Sequence, residues 1–206
     1  IRLAAEDAEN AATVATLACA LGHRFAPLVD VFLPQLIMLT AKAKQVMSSS
    51  ADQCLRSIVA ANRQRGGYPK QLLPHLVSAT GGDVHAGGAG AGGGSGGAGG
   101  GSGSSSAPAT PRRRQSSRRR GQEYIAFALR CWPKKSFLDH GGHKDDVFGR
   151  GGDSAMLRAC ILLSLKDSSV DVRDAARQSY WAFERHFPDA AKTMLRRLTT
   201  SQANRL

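Results

Sequence analysis

Residues 81 to 103 are almost entirely Gly, Ala and Ser and hold 14 of the chain's 23 glycines. Such a stretch has too little apolar surface to offset the entropy lost on ordering it. The bias continues through Pro108 and Pro111 into two arginine triplets, Arg112-Arg113-Arg114 and Arg118-Arg119-Arg120. Of the 206 residues, then, two blocks can build a core, one before about residue 80 and one after about residue 118. Residues 81–117 are expected to be one disordered Gly/Ser/Arg-rich insertion between them.

Both blocks are rich in Ala, Leu and Arg and patterned with helical spacing. The clearest case runs from Ser168 to Pro188, where Val172, Ala176, Ser179, Phe183 and Phe187 recur at the spacing of one buried face. Ser168 followed by Asp171 predicts a capping box, and Pro188 predicts the stop. Upstream, Leu3 to Leu21 reads as a helix ended by Gly22. Arg24 to about Thr40 reads as a second, with Phe25, Leu28, Phe32, Leu36 and Leu39 inward and a kink at Pro34. Val46 to Ala61 predicts a third, carrying Val46, Met47, Ala51, Cys54, Leu55, Ile58 and Val59 on its apolar side. A short helix from Tyr68 to about Ser78 precedes the glycine tract. After it come a helix from Arg118 through Tyr124, Ile125, Ala128, Leu129 and Trp132 to a stop at Pro133, and a polar connector over 134–152. Asp153 to Leu165 follows, with Met156, Leu157, Cys160, Ile161 and Leu163 inward, and a last helix runs through Met194, Leu195 and Leu198. No segment sustains the period-2 alternation of a strand.

The recurring unit is a pair of helices joined by a short polar or basic turn, repeating at around 40 residues outside the insertion. That is the range of HEAT and armadillo units, each of which buries its apolar face against its neighbours. The expected fold is therefore all-α, an α-solenoid of stacked HEAT-like helix pairs, with an irregular helical bundle as the alternative. The pattern does not select the hand of the stack.

The formal charge is +12 and the pI about 10.2. Six arginines against Asp83 place +5 of it between residues 81 and 120, and the rest is spread over the helices. The balance favours an acidic partner: nucleic acid, an anionic membrane surface or an acidic protein. Cys19, Cys54, Cys131 and Cys160 stand apart in apolar runs and are expected as buried free thiols in a reducing compartment. No apolar run is expected to reach membrane-spanning length, and a first residue of Ile fits a piece cut from a longer chain.

Several stretches resemble the CLASP-type TOG domain. Ala176-Arg177, Tyr180-Trp181-Ala182-Phe183, His186-Phe187-Pro188 and Ala190-Ala191 resemble the end of such a domain. Leu21-Gly22-His23-Arg24-Phe25, Leu33-Pro34 and Ala43-Lys44-Gln45-Val46-Met47-Ser48 resemble an earlier part. Arg118-Arg119-Arg120 before Glu123-Tyr124-Ile125 looks like the family's basic start of another helix. The likeness spans the chain except 81–117 and 134–152. It implies a partial TOG-like HEAT-repeat domain over 1–206, ordered at about 1–80 and 118–206, that begins near the second helix of the second of six repeats. The repeat bearing the family's exposed aromatic anchor would then precede Ile1. Trp132 and Trp181 do not replace that anchor, being expected as core residues inside helices. The resemblance further implies a non-enzymatic module on cytoplasmic microtubules and the spindle, gripping acidic tubulin by intra-repeat turns. Stabilisation, rescue and spindle organisation would follow, with other spindle or cortical partners recruited by other regions. Lys42 and Lys44 fall in one such turn, Arg118, Arg119 and Arg120 at the next, and Asp171, Arg173 and Arg177 at the third. If the pairs stack in register, these residues form a basic line.

Other constellations are weaker. The arginine-rich run lacks the interleaved aromatics of a nucleic-acid surface, which disfavours that partner. A generic HEAT or armadillo scaffold binding nucleic acid or another acidic protein is the alternative function. Arg113-Arg114-Gln115-Ser116 fits the recognition pattern of a basophilic kinase, making Ser116 and Ser117 candidate phosphate acceptors, against the plainer reading of a solvated basic run. His140 and His143 with Asp145 and Asp146 lack a second ligand cluster at usual spacing, so no metal is expected. The glycine tract has no following Gly-Lys-Ser/Thr and is no phosphate loop. No nucleophile–base or paired-carboxylate arrangement emerges, so neither an enzyme nor a cofactor is expected.

Overall fold

The computed structural model describes residues 2–41, 45–61, 69–81, 111–137, 153–204 and 206. These form α1 (Arg2–Leu21), a 3-10 turn (Gly22–Leu28), α2 (Val29–Thr40), α3 (Gln45–Ala61), α4 (Pro69–Ala79) and α5 (Pro111–Cys131). A second 3-10 turn (Lys134–Phe137) leads to α6 (Asp153–Leu165), α7 (Val170–His186), α8 (Pro188–Leu195) and α9 (Thr200–Ala203). No strand occurs among the described residues. α1 packs on α3, α3 on α5 and α5 on α7, while α2 packs on α4 and α4 on α6. The pairs α2/α3, α4/α5 and α6/α7 join these two rows, a layering compatible with an α-solenoid.

The best-patterned helix behaves as its spacing predicts. Val172, Ala176, Ser179, Phe183 and Phe187 are all buried. Small residues on that face let α7 approach α5 closely enough for the Ser179 hydroxyl to donate to the Gln122 carbonyl at 2.9 Å. The predicted capping box does not form: Ser169 is the N-cap and makes no side-chain cap bond. Its amide instead donates to Asp167 Oδ1 at 2.9 Å, so an acid before the helix takes the N-cap amide in place of Asp171.

Other stripes shift. In α2, Val29, Leu33, Leu36 and Thr40 are buried, whereas Leu28, Phe32 and Leu39 are half-buried. The cause is the 3-10 turn over Gly22–Leu28, whose three residues per turn rotate the following α-helix relative to a count at 3.6 from Phe25. Gly22 ends α1 in the left-handed region (φ 52°), as its type suggests. In α3, Val46 is exposed while Met47, Ala51, Cys54, Leu55, Ile58 and Val59 are buried. In α6, Leu163 is 63 % exposed and Ser164 is buried in its place. The Gln122 amide donates to Ser164 Oγ at 2.7 Å, and Gln122 also meets Cys160 Sγ at 3.2 Å. Thr80 lies 3.0 Å from the same sulfur, so a buried polar cluster joins α4, α5 and α6 where apolar residues alone were expected. Cys54 and Cys160 are buried thiols, Cys131 is half-buried, and Cys19 is exposed, against expectation.

Helix α5 begins seven residues before Arg118, inside the stretch expected to be disordered. Proline suits a first helical position and arginine is a good helix former. Side chains early in the helix also find partners elsewhere: Gln115 donates to Ser169 Oγ at 2.6 Å and Ser117 to the Ala79 carbonyl at 3.4 Å. At the other end α5 stops at Cys131, before Pro133. Trp132 is buried, donating its indole N–H to the Val59 carbonyl at 2.8 Å and packing on Phe137 with ring centroids 5.6 Å apart. Phe137 meets Phe187 edge-on, closing an aromatic cluster between α5 and the end of α7.

The N-terminal segment corrects another expectation. Glu9–Thr40, which holds an 18-residue stretch of mean hydropathy 1.3, is long and apolar enough by those measures to cross a membrane. It is α1, the first 3-10 turn and α2 in succession, with both α-helices packed on α3 and Ala11, Ala18, Phe25, Val29, Leu33 and Leu36 facing the core.

An ion-pair cluster ties α3 to α5. Asp52 accepts from Arg56 Nε at 2.8 Å, from the Tyr124 hydroxyl at 2.7 Å and from Arg120 at 3.4 Å. Burial pushes the Asp52 carboxyl up, but the hydrogen bonds from Arg56 and Tyr124 and the charges of Arg56 and Arg120 outweigh it. The net effect holds the group below its ordinary 3.8. A depressed folded-state pKa means stability that is present above the unfolded value and lost as pH falls through the folded one. Asp52→Asn, which leaves both arginines facing a neutral group, should therefore cost about 1–3 kcal/mol at neutral pH. In urea titrations at stepped pH, the gap between the two proteins should close only below pH 3.8.

Gly121 supplies a sharper test. A Cβ there would stand 2.8 Å from Thr80 Cγ2, 2.9 Å from Thr80 N and 3.0 Å from Ala79 C. Helix propensity alone favours Gly121→Ala by about 1 kcal/mol. Because backbone cannot yield as a flexible side chain does, the variant should instead be destabilised, by about 1–3 kcal/mol. A rise in melting temperature would contradict this close approach of α4 to α5.

Candidate functional site

The residues expected to form a basic line separate into three groups. Lys42 and Lys44 lie outside the described residues, although Ser48 Oγ donates to the Thr40 carbonyl at 2.8 Å, fixing the start of α3 against the end of α2. Arg118, Arg119 and Arg120 are described but stand in the interior of α5 rather than in a turn. Asp171, Arg173 and Arg177 fall in the first turns of α7, beside the α6–α7 connection.

Arg118 is a connector. Its Nε and Nη2 donate to the two carboxylate oxygens of Asp167 at 2.9 and 3.3 Å, a bidentate pair across 49 residues of sequence. Its aliphatic stem crosses Gly81, whose absent Cβ would lie 3.3 Å from Arg118 Cδ. Gly81 holds φ 80°, a conformation that favours glycine. One guanidinium thus joins the end of α4 to the α6–α7 turn, which makes those two turns neighbours. Arg120 is similarly engaged by Asp52 and by Glu123 at 3.2 Å. Arg119 pairs with Glu123 at 2.8 Å but remains 51 % exposed. Two of these three arginines hold helices together, because acids distant in sequence lie opposite them.

The third group borders a cleft of about 270 Å³ between the α6–α7 turn and α9. Arg173 Nη1 donates to the Asp167 and Ser168 carbonyls at 2.7 and 2.8 Å, fastening the turn, and the residue lines the cleft. Arg177 is half-buried, pairs with Asp174 on its own helix and lines the same cleft. Asp171 is exposed. Lys166 and Gln202, which no spacing argument singled out, complete the polar wall. A readable signal for Gln202 existed in Thr199-x-x-Gln202. Its reciprocal capping box is present, with the Gln202 amide N–H to Thr199 Oγ1 and the Thr199 N–H to Gln202 Oε1, and it starts α9. Lys166 follows the last residue of α6, one position before the acid that binds Arg118.

Chemically, the cleft presents one ammonium and two guanidiniums against one carboxylate already engaged by Arg118. It suits recognition of acidic groups, not bond breaking. Burial pushes the Cys54 and Cys160 thiols up to about 11, which keeps both protonated at neutral pH and poor as nucleophiles. No group of three His, Cys, Asp or Glu placed to hold a metal occurs among the described residues. His140, His143, Asp145 and Asp146 lie outside them. Trp181, expected in the core, is 48 % exposed and donates its indole N–H to the Leu206 carbonyl at 3.0 Å. Tyr180, Ala182 and Phe183 take the inward positions of α7, and Trp181 is turned out.

Residues 127–206 match the family model described as CLASP N terminal. A search of curated proteins returns no match. The matched stretch runs from the second half of α5 to α9 and includes the α6–α7 turn and every residue of the cleft. That family is one of microtubule-associated structural domains of HEAT type and not a family of enzymes. Over Phe127 to Leu206, this chain is similar to the CLASP N-terminal family.

Proposed function

We propose that the chain is a non-enzymatic tubulin- or microtubule-binding module, a partial TOG-like stack of HEAT-like helix pairs over residues 1–206. Its partner is the acidic surface of tubulin, and its place is on cytoplasmic microtubules and the spindle, where it regulates polymer stability and rescue. The observation that carries this reading is the basic cleft at the α6–α7 turn, lying inside the stretch that matches the family. The neighbouring turn, at the end of α4, is held beside it by Arg118, which supports a contact edge made of successive turns.

The contact set differs from the one expected on spacing. Lys166, Arg173 and Arg177 are the contact cations at this turn, with Lys42 and Lys44 proposed at the α2–α3 turn and Arg119 as a further exposed cation. Arg118 and Arg120 act by fixing the elements that carry the edge. Exposed pairs contribute only about 0.2–1 kcal/mol each and are screened by salt, so several must act together.

Co-sedimentation with microtubules across a salt series tests this. Lys166→Glu with Arg177→Glu should weaken binding several-fold to about tenfold at low salt, with a smaller gap at high salt. Neither residue bridges two helices, so melting temperature should stay nearly constant. Unchanged sedimentation would remove the cleft from the interface. Tighter binding to random duplex DNA than to tubulin would instead favour a general acidic-partner scaffold.

A further inference from the structure

The arginine-rich start of α5 contains a feature that binding to an acidic partner does not use. Arg113-Arg114-Gln115-Ser116 sets two arginines three and two residues before a serine. The two adjacent serines differ in placement. Ser117 is half-buried and its hydroxyl faces the Ala79 carbonyl at 3.4 Å, whereas Ser116 is exposed. Ser116 also lies one helical turn before Arg119 and Arg120, at i+3 and i+4, the positions that meet on a helix surface. Those two arginines face Glu123, and Arg120 reaches Asp52 at 3.4 Å, the longest of the contacts to that carboxylate.

We propose that Ser116 is the acceptor for a basophilic serine/threonine kinase, and that its phosphate draws Arg119 and Arg120 away from Glu123 and Asp52. The γ-phosphoryl group of ATP passes to Ser116 Oγ as the bond from the γ-phosphorus to the β–γ bridging oxygen breaks. ADP departs and the hydroxyl proton goes to the kinase's catalytic base. A phosphoserine carries close to two negative charges at pH 7 and three acceptor oxygens, against the single charge of Glu123. Kinases take substrates extended, so the first turns of α5 unwind, which breaks the Gln115–Ser169 and Ser117–Ala79 bonds and leaves the Arg118–Asp167 pair to re-anchor the helix afterwards. The site does not depend on what the chain binds.

The test uses the whole chain, ATP and a kinase that selects arginine two and three residues before the acceptor. Fragmentation mass spectrometry should place one phosphate on Ser116, absent in Ser116→Ala and retained in Ser117→Ala. Phosphate on Ser117, or only on the serines at 102–106, would overturn the assignment. Arginine capture has its own readout, the second ionisation of the phosphoserine followed by phosphorus NMR. Its pKa, ordinarily about 6, should fall by about half a unit. In Arg119→Gln, and further in Arg119→Gln with Arg120→Gln, it should return towards the ordinary value. The single change lies on an exposed side chain and keeps the fold in place. Equal values in the native and Arg119→Gln chains would overturn the capture.

Discussion

The structure depends on how closely the backbone of α5 is approached. At Gly121 the end of α4 comes so near that no Cβ fits, and one residue later the Gln122 carbonyl takes a hydrogen bond from Ser179 of α7. The Gln122 side chain reaches Ser164 and Cys160 of α6. Two residues further on, Tyr124 meets Asp52 of α3 and comes within hydrogen-bond reach of Thr40, the last residue of α2. Seven residues, Arg118 to Tyr124, therefore touch five other helices or their ends. Each contact is short because the residue making it is a glycine, a main-chain carbonyl or a side chain with a fixed polar partner. A helix used on every side cannot carry the single apolar stripe that marks a surface helix.

This arrangement changes what the net charge of +12 means. Asp52, Glu123 and Asp167 absorb Arg56, Arg118, Arg119 and Arg120 in pairs that cross helices or brace them. Bidentate and partly buried pairs fix geometry, whereas solvated cations raise the surface potential. The arginines densest in sequence are therefore not the ones most available to a partner. Lys166, in a plain stretch of sequence, is exposed at the rim of the cleft.

Legibility followed the same division. The buried faces of α3 and α7 could be read because each is nearly a regular α-helix packed along one side, though Val46 at the first turn of α3 and Trp181 on α7 misled. The face of α2 was displaced by a 3-10 turn that hydropathy spacing cannot detect. The face of α6 was displaced because Ser164 is buried on the strength of one hydrogen bond to Gln122, leaving Leu163 outside. At the candidate site, Arg173 and Arg177 were legible from their place at the start of α7. The roles of Arg118 and Arg120 were not, since each is set by an acid 49 or 68 residues away.

The cleft inherits its shape from that hidden part. Asp167 receives Arg118 on one side and the Ser169 amide on the other, while Arg173 fastens the Asp167 and Ser168 carbonyls from below. The α6–α7 turn is thereby held by α5 before any partner arrives. Ordering the backbone of a wandering turn would cost about 1–2 kcal/mol per residue, on top of about 0.5–1.5 kcal/mol for each immobilised side chain, and so exceed what an exposed ion pair returns. A turn fixed in advance leaves only the side chains to be ordered, so weak pairs can sum to a usable affinity. Under the proposed function, the conspicuous arginines of α5 serve recognition indirectly, by making the turn rigid enough for Lys166, Arg173 and Arg177 to act at once.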